Sequence, residues 1–247
     1  MGASKAIAQG TKNCPSGTLY FTFDTGSMSQ ADLIASVLKK HDVKATFFLA
    51  SEKTVKGDFS LDPTWGPYWK SLASQGHVFG SHTFDHVYFR GASKPDQLAA
   101  KPQFGSNAGK ALVWSNQQLC TELNRVKSRF AEFIGPSAAQ AFLPIWRAPG
   151  GKAAEEVMAA ASRCGYKHVY WAKAGFLGDE LSSDSHPNTK LLTAALSDLK
   201  DGDITVAHLG IWSRKDPWAP AVLEPLIVGL KQKGFCFATL RDHPDYR

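Results

Sequence analysis

The sequence predicts an α/β fold in which parallel strands alternate with crossover helices, and three observations carry that prediction. Short β-branched and aromatic runs recur along the chain, amphipathic segments with a period of about 3.6 residues lie between them, and the alternation persists over nearly the whole length. Such a pattern closes either as an open sheet or as a barrel.

The elements follow in order. Residues 18–23 are a β-rich run that ends at Asp24-Thr-Gly26, a strand entering a turn. Ser29 with Asp32 three residues on resembles a capping box, and Leu33, Ile34, Val37 and Leu38 give the apolar stripe of a first helix. Residues 44–49 read as a second buried strand, residues 68–75 as helical, and residues 77–79 as a third short strand after Gly76. Leu119, Leu123, Val126, Phe130 and Phe133 mark a long amphipathic helix, and residues 141–146 a strand. Residues 152–164, 191–199 and 220–233 are predicted helical, with 168–171, 203–209 and 235–240 extended. Residues 90–113 and 178–188 break the rhythm. Both read as inserted loops that either shape a substrate site or make surface excursions.

A chain of 247 residues with 43% apolar and 11% aromatic content can bury a sizeable core, which excludes fibrous and disordered classes. We expect an N-terminal extension over residues 1–17 and a single domain over 18–247. The formal charge of +6 permits attraction to anionic polymers, but Lys and Arg are scattered, so a mildly basic surface and no nucleic-acid partner are expected. No apolar run is long enough to predict a transmembrane segment, and the first ten residues lack the apolar block of a signal peptide. Met1-Gly2 reads as a true start or as a start that replaced a removed leader. A periplasmic or secreted location follows from the second and a cytoplasmic one from the first. Oligomeric state has no signature.

Cys14, Cys120, Cys164 and Cys236 are too few for a disulfide scaffold and lack the CxxC spacing of a structural zinc site. Cys236, in an apolar strand, reads as a buried thiol. One disulfide among the four is compatible with export.

Four constellations carry potential chemistry. His82 and His86 stand four apart, and on a helical turn both imidazoles reach one metal ion; alone, two core or solvated histidines are equally consistent. Asp24 ends a strand, where α/β enzymes place their sites, or else caps the helix that follows. Arg147-Ala-Pro-Gly-Gly151 also follows a strand end and offers a guanidinium and backbone N–H groups, although a plain strand-to-helix connection explains its glycines too. His208 closes the predicted strand at 203–209 and adds a third imidazole.

Taken together and in this order, Thr22-Phe-Asp-Thr-Gly26, His82-Thr-Phe-Asp-His86, Arg147-Ala-Pro-Gly-Gly151, a partial match around Trp171 and Val206-Ala-His208 resemble the five motifs of the polysaccharide deacetylases, the NodB homology domain of carbohydrate esterase family 4. Ala45-Thr-Phe-Phe48 adds a further family signature, and the resemblance runs from about Thr18 to Leu240. It implies a distorted (β/α) barrel of about seven parallel strands. It also implies metal-assisted hydrolysis of an acetyl or other small acyl group from an N-acylated sugar, with a carbohydrate as substrate. By motif position, Asp24 is the general base, His208 the general acid, Arg147 the residue that orients Asp24, and His82 and His86 ligands of a divalent metal, zinc first. A backbone N–H near Gly150 would meet the oxyanion.

The chain departs from the pattern at Thr25, where the family carries a second Asp as metal ligand. Three outcomes are open: Thr25 holds a ligating water, Asp24 or Asp85 turns in, or the site works without metal, as in relatives that open cyclic amides or imides. A catalytically silent glycan-binding domain is a third function. The family's motif-four Asp falls near Ala174, its motif-three Tyr is Gly150 and its motif-five Leu is Val206, changes that alter the pocket. Trp171 and Trp212 are candidate substrate contacts, Trp212 within a loop at residues 211–218 after His208, and Trp146 and Trp218 also lie near strand ends.

Overall fold

The computed structural model describes residues 14–94 and 96–247; most of the expected N-terminal extension, residues 1–13, lies outside them. The β-rich run splits into β1 (Thr18–Tyr20) and β2 (Thr22–Asp24), followed by α1 (Ala31–Lys40), β3 (Thr46–Leu49), α2 (Gly66–Ser74) and β4 (Val78–Ser81). A hairpin-like segment follows, β5 (Val87–Lys94), β6 (Gln97–Pro102) and β7 (Leu112–Trp114), and then the long α3 (Asn116–Ile134) and the single turn α4 (Ala138–Ala141). The remainder is β8 (Phe142–Trp146), α5 (Glu155–Arg163), β9 (Lys167–His168), α6 (Asn188–Asp198), β10 (Ala207–His208), α7 (Glu224–Gln232) and β11 (Cys236–Ala238).

The principal sheet has six strands, all parallel, in the order β10-β2-β3-β4-β8-β9. Among the described residues, these six strands do not confirm the expected count of about seven. β1 and β11 pair separately, also in parallel. The two edges of the principal sheet approach each other where the chain after β9 turns back: Ala172 N–H donates to Ile204 O, and Phe176 bridges Val206. A distorted barrel results, closed by irregular backbone instead of a further strand.

Alternation along the strands assigns two cores. Phe23, Phe47 and Phe79 face the helices and lie in register across β2, β3 and β4, with ring centroids 5.6 and 5.8 Å apart. Trp69 of α2 and Phe130 of α3 close over this row. The alternate residues point inward, where Phe48 packs with Tyr20, Ile145, Val169, Ile204 and Leu240. Thr22 and Asp24 share the inward parity with Phe48, so the fold carries Asp24 to the barrel interior.

Three expectations change and a fourth holds. Residues 90–113 lie largely within the antiparallel sheet β5-β6-β7, because Leu98 and Ala100 alternate inward and bury against the core. Helix α1 starts from Gln30 with no side-chain cap, and the capping box forms instead at α3, where the Ser115 and Gln118 side chains each bond the other's backbone N–H. The cysteines form two disulfides, Cys14–Cys236 and Cys120–Cys164, so Cys236 is not a free thiol. Residues 178–188 are irregular apart from the first residue of α6, as the sequence suggests, and are held by Arg214, which donates to Leu181 O, His186 O and Asn188 Oδ1.

Candidate active site

Four parallel strands end at one mouth of the barrel, and each delivers a reactive side chain there. Asp24 is the last residue of β2 and His208 the last of β10; His82 follows β4 and Arg147 follows β8. In the parallel ladder His208 lies directly opposite Asp24.

Arg147 Nη1 donates to Asp24 Oδ1 at 2.8 Å and to Thr22 Oγ1 at 2.8 Å, while His82 Nε2 stands 3.7 Å from Asp24 Oδ2. Asp24 and Arg147 are both buried, 3% and 0% exposed, and the guanidinium lies over the Phe48 ring at 4.3 Å. Burial alone would raise the Asp24 carboxyl. The Arg147 guanidinium first, with the imidazoles of His82 and His208 beside it, outweighs burial and holds the group below its ordinary range, so it is ionised at neutral pH.

His208 is tuned the opposite way. Asp179 accepts from the His208 backbone N–H at 2.6 Å and from Nδ1 at 3.1 Å. Burial would lower the imidazole, but Asp179, with help from Asp24 and Glu180, pushes it up to about 10. One buried group is thus kept as a base and its neighbour as an acid.

His82 and His86 do not sit on a helical turn. Thr83 and His86 adopt left-handed backbone, φ 61° and 47°, and this loop brings the two rings to 5.0 Å between centroids. It is fastened by Ser51 N–H to Phe84 O at 2.7 Å and by Val87 N–H to Thr83 Oγ1 at 2.7 Å. Asp85 pairs outward with Arg125 of α3 at 3.0 Å and is not turned toward the histidines. His82 Nδ1 donates to Arg147 O at 2.9 Å, which turns Nε2 toward Asp24. Burial first of all pushes His82 down to about 4, so its imidazole is neutral at pH 7.

The polysaccharide deacetylase profile matches residues 11–169. The chain belongs to the polysaccharide deacetylase family. Members of that family hydrolyse amide C–N bonds. The chain is 26% identical over 243 residues to a peptidoglycan-N-acetylmuramic acid deacetylase of Bacillus subtilis, covering 93% of this chain and 72% of that one. It is 22% identical over 228 residues to a peptidoglycan-N-acetylglucosamine deacetylase of Bacillus cereus, covering 92% and 87%. The carbohydrate esterase domain of a multidomain xylanase from a termite hindgut metagenome (Trinervitermes trinervoides) superposes with a TM-score of 0.66 at 18% identity, over 93% of this chain and 90% of that one.

At position 25, where the family pattern carries a second Asp, the hydrogen-bond partner is a residue that motif reading does not single out. Thr25 Oγ1 donates to Glu52 Oε1, and the Gly26 N–H donates to the same oxygen at 2.8 Å. Gly26 has φ 82°, and a Cβ there would lie 2.4 Å from Gly210 O, so the close approach of these two loops requires glycine. Gly150 is likewise left-handed, φ 70°, and a Cβ would stand 2.9 Å from the Tyr88 ring, which occupies the space beside motif three. Trp171 stacks on Phe176, lies beside Arg147 and abuts Gly151, forming a wall behind the arginine. Trp212 is 61% exposed and lines a cavity of about 280 Å³ together with Ser27, Ser29, Asp179, His208 and Trp218. Trp146 and Trp218 are buried in the core.

The family implies a divalent metal. Among the described residues, no three His, Cys, Asp or Glu side chains are drawn together as a ready metal cluster. The donor chemistry nevertheless suits one: His82 presents Nε2, and His86 Nδ1 is buried without a hydrogen-bond partner. An imidazole pair with a carboxylate close by is a zinc-type donor set.

Sequence reading misses Asp179, Glu52 and Tyr88. Glu52 carries a usable signal, a lone acid just beyond the C-terminal end of β3. Asp179 lies in an aperiodic loop beside Glu180 and Asp184, and it pairs with His208.

Proposed function

We propose that the chain removes acetyl or another small acyl group from the amide nitrogen of an N-acylated sugar in a glycan, and that Asp24 and His208 are its base and acid. The observation that carries the reading is the opposite tuning of these two neighbours on adjacent strands, one carboxylate kept ionised by Arg147 and one imidazole kept protonated by Asp179.

Asp24 takes a proton from the attacking water, and its pairing with Arg147 fixes the carboxylate that does so. His208 gives a proton to the departing amine, which converts a poor leaving group into a good one. Backbone N–H near Gly150 meets the developing oxyanion. His82 and His86 are the imidazoles that would hold a divalent metal, which when bound would polarise the acyl oxygen and acidify water. Trp212 and Tyr88, exposed on either side of the site residues, offer flat faces to pyranose rings. The peptidoglycan deacetylases among the relatives favour a cell-envelope glycan as substrate.

Two disulfides point to folding in an oxidising compartment, which supports an exported enzyme. No helix among the described residues is long and apolar enough to cross a membrane.

The test is acetate release from N-acetylglucosamine oligomers and from peptidoglycan, with zinc, cobalt or chelator added. Metal-stimulated release with one new amine per acetate is expected. Chelator-insensitive opening of cyclic imides, or saturable glycan binding without turnover, overturns the reading.

A further inference from the structure

We infer that Glu52 supplies, from the loop after β3, the metal-binding carboxylate that position 25 lacks, and that Thr25 serves to position it. The inference rests on the deacetylase reading for its choice of metal chemistry, but its evidence is the packing around Glu52.

Three observations tie the Glu52 carboxylate to motif one and its loop to the loop of the histidine pair. Both hydrogen bonds from Thr25 and Gly26 fall on Oε1, which leaves Oε2 outside them. The backbone of residues 49–51 is laced to the histidine loop, with His82 N–H donating to Leu49 O at 2.7 Å and Ser51 N–H to Phe84 O at 2.7 Å. Thr25 is itself pinned by the Ala50 N–H at 3.2 Å, so its hydroxyl bridges the two strand ends and cannot swing freely toward a metal.

The pairing of charges agrees with this assignment. Asp24 has Arg147 as counter-charge and Asp179 has His208, whereas among the described residues Glu52 forms no ion pair. A half-buried carboxylate without a counter-ion still carries a desolvation cost, and a dication shared with two imidazoles would offset it. The side chain that replaces the family's Asp thus holds, by a hydroxyl bond, a longer acid reaching in from the neighbouring loop.

The experiment measures zinc affinity by calorimetry, and cobalt binding by its visible absorption, for the wild-type chain, Glu52→Gln, and Glu52→Gln combined with Thr25→Asp. Gln keeps an oxygen for Thr25 and Gly26, and circular dichroism with thermal melting checks the fold. Wild type is expected to take up one zinc, Glu52→Gln to bind it at least tenfold more weakly with an altered cobalt spectrum, and the double variant to recover affinity. Glu52→Gln binding zinc within twofold of wild type overturns the assignment, as does a wild type that binds no zinc. Acetate release is followed in parallel. A chain that binds zinc through Glu52 yet releases no acetate sinks the deacetylase reading alone; one that releases acetate without zinc affinity sinks the role of Glu52 alone.

Discussion

Asp24 and Arg147 form a 2.8 Å ion pair in which neither partner has appreciable contact with solvent. Such a pair is expensive to break from one side, because the survivor is left as an uncompensated buried charge. Asp24→Asn should therefore destabilise the protein by about 3–5 kcal/mol while leaving it folded. A urea melt of the variant measures this, and a loss below about 1 kcal/mol would show that Arg147 finds another partner.

Arg147→Met tests the same pair from the other side. Asp24 has its carboxyl held low in the folded state, so its contribution to stability is present above the ordinary carboxylate pKa and is lost as pH falls through the depressed value. Without Arg147, burial dominates and the carboxyl rises. The acid limb of kcat/KM should move to higher pH, and an unmoved limb would remove Arg147 from the tuning of Asp24.

Asp179→Asn should act on the alkaline side. His208 is held up to about 10, so it is protonated at neutral pH, and its stabilising pairing is complete below its ordinary pKa and lost as pH rises through about 10. Removing the Asp179 charge should bring the alkaline limb of kcat/KM down toward about 6.5 and flatten the decline of melting temperature over that interval. NMR titration of the His208 ring reads the shift directly.

Much of this architecture was legible in the sequence, and the exceptions have physical causes. Helix α3 shows its stripe at Leu119, Leu123, Val126, Phe130 and Phe133; the first four bury as the period requires, and Phe133 is half-buried against the core. Asp24, Arg147 and His208 could be placed because each ends or follows a strand, and a parallel sheet sends all such ends to one face. Strands β5 to β7 were hidden because their alternation is interrupted by register shifts between Phe89, Ala92 and Lys94. The loop of His82 and His86 could not be read from spacing, since left-handed Thr83 and His86 obey no helical period. Glu52 and Asp179 were missed for a shared reason: each reaches its partner from a different loop, and sequence separation conceals such contacts.

Trp212→Ala removes an exposed side chain that lines the cavity beside His208. Stability should change by no more than about 0.5 kcal/mol, whereas KM for an oligomeric substrate should rise about fivefold, corresponding to roughly 1 kcal/mol of ring stacking. Equal kinetics for wild type and variant would place the sugar elsewhere.

The Cys120–Cys164 disulfide ties α3 to the end of α5 across 44 residues. Replacing both cysteines by alanine should cost on the order of 4 kcal/mol through greater freedom of the unfolded chain. Differential scanning calorimetry checks it, and an unchanged melting temperature would mean that the bond adds nothing to the packing already present.

The most direct measurement is the rate at which free amine and acetate appear from an N-acetylglucosamine oligomer, compared between wild type and Asp24→Asn at matched folded fraction. The account predicts equimolar products from wild type and a rate lower by about a hundredfold or more in the variant. Equal rates, or no amine from either protein on any N-acylated glycan, would contradict it.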